Sequence, residues 1–314
     1  MIDCKFLSFE AGGQIQAGLL VAGNVHALAA LTGRPSDSSI LSVLSDWPAS
    51  LNRAVAAAQA LGDGAGGLPL DQVRLTAPVL YPSAIYCAGA NYRDHVREMS
   101  RAAGRAEGPD PRSIGLRPWH FLKPSRCVVG DLEAVALPAA SKAVDWEVEL
   151  AAVIGRPARN VSVDTALDYV AGYTIANDLS ARDLSRRPPT PETSPFFFDW
   201  LAHKGFEGAC PLGPWITPAA LIADPQDLKI GLSVNGVAKQ DSNTSEMIFS
   251  IAEQIAQLSS LRTLHPGDVV LTGTPAGVGA ARREFLQPGD LLEAWIEGIG
   301  ALRTPIEAPL PVKS

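Results

Sequence analysis

Glycine and proline punctuate this chain so densely that long regular elements have little room: 28 glycines and 25 prolines, 53 of 314 residues, are scattered without a period. Glycine opens left-handed backbone and proline removes an amide donor, so each tends to end a helix or strand. Their joint share exceeds the usual ~12%. The expected product is a mainly β, α+β fold in which short strands alternate with tight turns. A chain of this length accommodates one large core plus a smaller module, because domains run to roughly 50–250 residues.

The smaller module is expected over residues 1–72, as a β/helical unit ending in a linker, and the larger over 73–314. From Ile2 to about Leu31, short alternating strands are broken at Gly12-Gly13 and at Gly23-Asn24, the latter a hairpin turn. Pro48, the alanine-rich run Ala54 to Leu61 and Gly62 place proline near the start and glycine at the end of a helix. The run GDGAGG, Gly62 to Gly67, reads as the linker. Beyond about Leu75 strands dominate, among them Ala84–Ala88, Glu147–Ile154 and Tyr173–Asn177. Asn243-x-x-Glu246 has the form of a capping box, and Ile248, Ile251, Ile255 and Leu258 recur at helical spacing. Pro266-Gly267-Asp268 and Pro288-Gly289-Asp290 each predict a type II turn that launches a strand.

Net charge of -7 with 19% charged and 46% hydrophobic residues suits an ordered globular protein and lacks the basic excess of a nucleic-acid binder. No uncharged apolar run reaches the ~20 residues of a membrane span, and MIDCKFLSFE has no signal-like apolar core, so a cytoplasmic protein with no membrane partner is expected. Cys4, Cys87, Cys127 and Cys210 stand far apart without CxxC or HxxxH spacing, which leaves neither a zinc site nor a disulfide framework legible.

The segment DWEVELAAVIG carries the sharpest chemical signal. Glu147 and Glu149 sit two apart in an apolar, strand-like run and must share a face. Two carboxylates about 7 Å apart on one strand face repel and resist burial unless a cation lies between them; otherwise they mark a solvated face. Asp178, at the end of a second apolar strand in GYTIANDLSARD, offers a third carboxylate. Hard oxygen ligands without cysteine or paired histidine select Mg²⁺, Mn²⁺ or Ca²⁺ over zinc or copper, and Mg²⁺ or Mn²⁺ is the expectation for an enzyme.

In GANYRDHVREM, His95 and Glu98 lie three apart and on a helix would share a face, the arrangement of an imidazole oriented by a carboxylate. Lys123 in HFLKPS and Lys204 in AHKGFEG lie in apolar, aromatic surroundings, where each pairs with an anionic ligand or else snorkels to solvent. LTGTPAGVG, Leu271 to Gly279, supplies glycines and threonine hydroxyls after a strand, suited to holding a carboxylate with backbone amides.

Taken in order, GANYRDH, FLKP, DWEVELAAVIG, NDLSARD, HKGFEGACPLGPWI, VNGVAKQ and LTGTPAGVG resemble the fumarylacetoacetate hydrolase family from about Leu75 to Ile306. The resemblance implies a mixed β-roll catalytic domain with a small N-terminal domain, a homodimer, and Mg²⁺ or Mn²⁺ on Glu147, Glu149 and Asp178. It places catalytic roles on His95, Glu98 and Lys123, and substrate contacts on Lys204, Thr274, Arg182, Gln240 and Gly273. The leading activity it implies is hydrolysis of a carbon–carbon bond in a β-dicarbonyl oxo acid, such as an acylpyruvate or a fumarylacetoacetate-like compound. Alternatives are decarboxylation of an oxaloacetate-like acid, isomerisation of an unsaturated oxo diacid of the 5-carboxymethyl-2-hydroxymuconate kind, and a non-catalytic oxo-acid-binding protein. Ser185 stands where many relatives carry glutamine, ahead of the proline-rich stretch Arg186 to Pro195, which is expected beside the active site. The polar segment from Glu98 to Pro118 is expected to form a mobile lid.

Overall fold

The computed structural model describes residues 2–61 and 66–311, so residues 62–65 of the expected linker lie outside the described residues. Strands Cys4–Ala11, Gln14–Val21 and Asn24–Ala27 form an antiparallel meander. Its first turn is made by Gly12 and Gly13 at φ +59° and +75°, backbone that favours glycine. Helix Trp47–Ala60 follows, with proline in its first turn, and packs Trp47 edge-on against Phe6 at 4.8 Å between ring centroids.

Strand Cys4–Ala11 pairs with Cys210–Pro218, and the sheet continues through Val170–Asn177, Val148–Ile154, Val269–Leu271 and Ile85–Ala88 to His120–Lys123. Every residue of Val148–Ile154 and Val170–Asn177 is buried, which is why these segments read as continuous apolar runs rather than alternating ones. A second sheet of five strands runs Val237–Asn243, Lys229–Val234, Leu291–Ile296, Gly300–Glu307 and Val135–Ala136. One core cluster joins Leu150, Tyr173 and Ile175 of the first sheet to Ile230, Leu232 and Leu292 of the second. Another joins Phe6, Leu19 and Trp47 of the N-terminal segment to Ile85, Val153 and Leu212, so the N-terminal segment shares a core with the main sheet. This is the mainly β, α+β architecture expected.

Both PGD turns form as read, with Gly267 and Gly289 at φ +88° and +94° ahead of strands Val269–Leu271 and Leu291–Ile296. The capping box does not fall where the pattern placed it. Asn243 caps only the short 3₁₀ turn Thr244–Glu246, and the box is made by Ser250 and Glu253 at the head of helix Ile251–Leu261. Ile248 therefore lies before the helix. Among the described residues no helix is long and apolar enough to cross a membrane.

Register decides where the chemistry collects. Val148 pairs with Asn177, Ala151 with Leu271, and Leu271 with Cys87. Glu147, Asp178, the turn at Thr272–Thr274 and Gly89 consequently emerge at one end of four adjacent strands.

Candidate metal centre and active site

Glu147, Glu149 and Asp178 come together, each offering a carboxylate oxygen within 4.8 Å of the others, and all three are buried. Backbone pairing holds them in place: the Asn177 side chain accepts from the Glu147 amide at 2.8 Å, and the Asp178 amide donates to the Glu147 carbonyl at 2.8 Å. The Gly273 amide donates to Glu149 at 2.6 Å. Gly273 sits at φ +101°, and a Cβ there would lie 2.8 Å from Asn91 Cβ, so glycine is needed for that amide to reach the carboxylate.

Three cations surround the acids. Lys204 Nζ donates to Glu147 Oε2 at 2.8 Å and to Asp178 Oδ2 at 2.6 Å. Arg182 bridges Asp145 and Glu147. Lys123 Nζ lies 2.8 Å from Asp178 Oδ1, but without the alignment of a hydrogen bond, because its three protons go to the carbonyls of Leu179, Lys204 and Ala209. Lys123 is buried and is not among the residues lining the cavity. Gln240 is also turned inward: it accepts from the Val148 amide at 3.0 Å and donates to Thr274 Oγ1 and the Pro275 carbonyl, each at 2.9 Å.

Burial would push the Glu147 carboxyl up, yet the adjacent Lys204 and Arg182 outweigh it and hold the group below the usual carboxylate range. Glu149 behaves oppositely: burial, then the charges of Asp178 and Glu147, push it well above its ordinary value. Four buried or partly buried carboxylates, counting Asp145, thus face three cations, and among the described residues Glu149 has no ion-pair partner. The donor set fits a hard divalent cation: oxygen ligands only, one Asp178 oxygen without an aligned donor, and a deficit of positive charge.

The cavity in front of these groups encloses about 180 Å³ and is lined by His95, Arg182, Lys204 and Thr274 together with the acids, Trp119, Phe121 and Trp200. His95 lies on helix Arg93–Ala102, and burial lowers its imidazole to about 4 against the opposing pull of Glu147. Among the described residues its Nδ1 has no hydrogen-bond partner. Glu98, one turn on, instead accepts from the Gly277 amide at 2.8 Å, so the expected His95–Glu98 hydrogen bond is not made.

Two positions that sequence reasoning passed over complete the site. Asp145 accepts from the amides of Trp146, Gly279 and Ala280 as well as from Arg182, and so fixes the guanidinium beside Glu147. Asn91 ties the loop after Ile85–Ala88 to the Thr272 and Phe249 carbonyls at 2.8 and 2.9 Å. Asp145 carried a signal, being a third acid in the same apolar segment. Asn91 carried none.

The fumarylacetoacetate (FAA) hydrolase C-terminal family model matches residues 84–307. An oxaloacetate tautomerase of Rattus norvegicus, described as mitochondrial, is 40% identical over 237 residues, 75% of this chain and 70% of the relative. The structure of 5-carboxymethyl-2-hydroxymuconate delta-isomerase from Mycobacterium smegmatis is similar at a TM-score of 0.62 and 38% identity, covering 76% of this chain and 82% of that one. Maleylpyruvate hydrolase from Sphingobium sp. SYK-6, solved with manganese(II) and pyruvate, is similar at a TM-score of 0.74 and 28% identity, covering 98% of this chain and 100% of that one.

Proposed function

This chain belongs to the fumarylacetoacetate hydrolase family, and we propose that it is a divalent-metal-dependent enzyme that moves a proton at the carbon beside the oxo group of a small 2-oxo acid, a keto–enol tautomerisation. The observation that carries this reading is His95. It is a neutral imidazole on the cavity wall, without Glu98 as a companion to hold a hydrolytic water. His95 takes the proton from carbon as the C–H electrons form the enol double bond, and the imidazolium, which exchanges with solvent, gives a proton to the oxo oxygen; the reverse transfer restores the ketone. Glu147, Glu149 and Asp178 would hold Mg²⁺ or Mn²⁺, which would supply Lewis-acid polarisation of the oxo group. Lys204 and Arg182 keep positive charge beside the substrate carboxylate, and Thr274, fixed by Gln240, contacts it. Lys123 acts through Asp178 as a positioning residue, and Gln240 through Thr274. A homodimer remains part of the reading on the strength of the family resemblance.

The relative at 40% identity, an oxaloacetate tautomerase, supports this assignment. The test follows loss of enol absorbance and uptake of solvent deuterium at C3, with oxaloacetate and phenylpyruvate as substrates and Mg²⁺ present. Catalysed exchange that falls by about 10²–10⁴ in His95→Ala is the expected result. Exchange no faster than in buffer for both acids would sink the proposal. Carbon–carbon hydrolysis is the second reading, favoured by similarity to maleylpyruvate hydrolase along 98% of the chain. It is recognised by release of two acids from an acylpyruvate, as decarboxylation is by release of carbon dioxide from oxaloacetate.

A further inference from the structure

The cavity has two unlike ends. At the inner end stand the acids, and its two lining cations are already committed, Arg182 to Asp145 and Glu147 and Lys204 to Glu147 and Asp178. The outer end is aromatic. Phe121 and Trp200 stack at 4.9 Å and 18° between planes, and Trp119 meets Trp200 edge-on at 5.8 Å. Phe121 also lies under the Lys204 ammonium, 5.2 Å from its ring centroid, so the wall begins where the polar site stops.

This wall is built rather than incidental. The Gly89 amide donates to the Trp119 carbonyl at 3.1 Å, and a Cβ on Gly89 would lie 1.9 Å from the Trp119 ring, so the indole rests on bare backbone. Trp200 is set by Asp199, which caps its helix through the Ala202 amide at 3.0 Å and pairs with Arg187 across the proline-rich loop. Buried His203 stacks behind Trp200 at 5.9 Å. Even so, Trp119 and Trp200 remain 48% and 41% exposed, a large area for indoles that the fold takes such care to orient.

We propose that the oxo acid taken by this site carries an aromatic or otherwise planar apolar distal group, seated against Trp119, Phe121 and Trp200, and not a second carboxylate. The inference rests on the reading of the inner end as the oxo-acid site. A distal carboxylate would face half-exposed aromatic rings and gain no ion pair there, because the two lining cations, Arg182 and Lys204, are held at the inner end on Asp145, Glu147 and Asp178. A planar apolar group gains stacking and loses water from two indoles.

Binding separates this inference from the proposed reaction. Calorimetric titration of the Mg²⁺-loaded protein with phenylpyruvate and with oxaloacetate should show phenylpyruvate tighter by about tenfold or more. Trp200→Ala should erase that preference while leaving oxaloacetate affinity unchanged, and Trp200→Phe should keep most of it. Trp119→Leu serves as a second, independent variant. Equal affinities in the wild type, tighter oxaloacetate, or an equal loss of both ligands in Trp200→Ala would overturn the proposal. So would unchanged phenylpyruvate binding together with a changed oligomeric state by light scattering, which would make the wall a contact with a second copy of the chain. If phenylpyruvate binds with this preference but neither acid is turned over, the aromatic subsite stands and the reaction assignment falls.

Discussion

His95, part-buried on the cavity wall with an Nδ1 that has no hydrogen-bond partner among the described residues, illustrates how environment sets a residue's task. An unfolded chain titrates histidine near 6.5, while burial lowers His95 to about 4 in the fold. Between those values the unfolded chain binds the extra proton, so the His95 contribution to stability falls as pH drops through that window and is constant above it. A divalent cation nearby would lower the imidazole further. kcat/KM should therefore show no inflection near 6.5, and His95→Gln should flatten the dependence of melting temperature on pH between about 4 and 6.5. A wild-type inflection near 6.5 that vanishes in His95→Gln would mean that the resting imidazole is charged. Gly273 makes a second prediction at this scale. Its φ of +101° and the 2.8 Å approach to Asn91 Cβ leave no place for a methyl group. Gly273→Ala should cost about 1–3 kcal/mol of stability and weaken metal binding, since the amide that fixes Glu149 must move. Thermal unfolding and metal titration of the same variant check both halves. Glu147 and Glu149 were legible because an acid pair in an apolar strand is a local contradiction. The inward turn of Lys123 was not, because its three carbonyl partners come from residues 56 to 86 positions away.

At the scale of elements, the same local pattern can have two outcomes. Asn243-x-x-Glu246 and Ser250-x-x-Glu253 both have the form of a capping box, and only the second precedes a continuing helix. Chain direction after Met247, set by the Ile248 amide donating to Asn91 at 2.7 Å, decides between them, and no window of sequence contains that contact. The polar segment after Glu98 shows the converse. Its composition was read as a lid with little to hold it, and the structure adds the particular hold. Arg112 forks onto Glu253 at 2.7 and 2.6 Å, donates to the Ile248 carbonyl at 2.7 Å and covers Phe249. A bidentate pair fixes orientation well, but one at the surface contributes only about 1 kcal/mol. Hydrogen exchange across residues 103–117 should therefore be fast in the free protein, slower with oxalate and Mg²⁺, and faster again in Arg112→Ala. Protection in Arg112→Ala equal to that of wild type would show that the latch does not govern the segment.

Charge gives the whole molecule its logic. The chain carries a net charge of -7, and four buried acids, Asp145, Glu147, Glu149 and Asp178, gather at the end of four strands, where three cations do not fully match them. Burial together with Asp178 and Glu147 raises the Glu149 carboxyl, so this group holds its proton to higher pH than an ordinary glutamate when no metal is bound. Binding a divalent cation requires the carboxylate form and must expel that proton. Metal affinity should then rise with pH until Glu149 ionises by itself, and the stabilisation by Mg²⁺ should rise with it. At a free concentration ~100 times Kd that stabilisation is about 2.7 kcal/mol, visible as a rise of several degrees in melting temperature. Calorimetric titration in buffers of different ionisation enthalpy should reveal fewer than one or about one proton released per ion, the number falling as pH rises. Glu149→Gln should abolish that release while leaving the fold intact, because glutamine can still accept from the Gly273 amide. A binding enthalpy independent of buffer across this range would mean that Glu149 is already ionised without metal, with Lys204 and Arg182 supplying enough positive charge for all the acids.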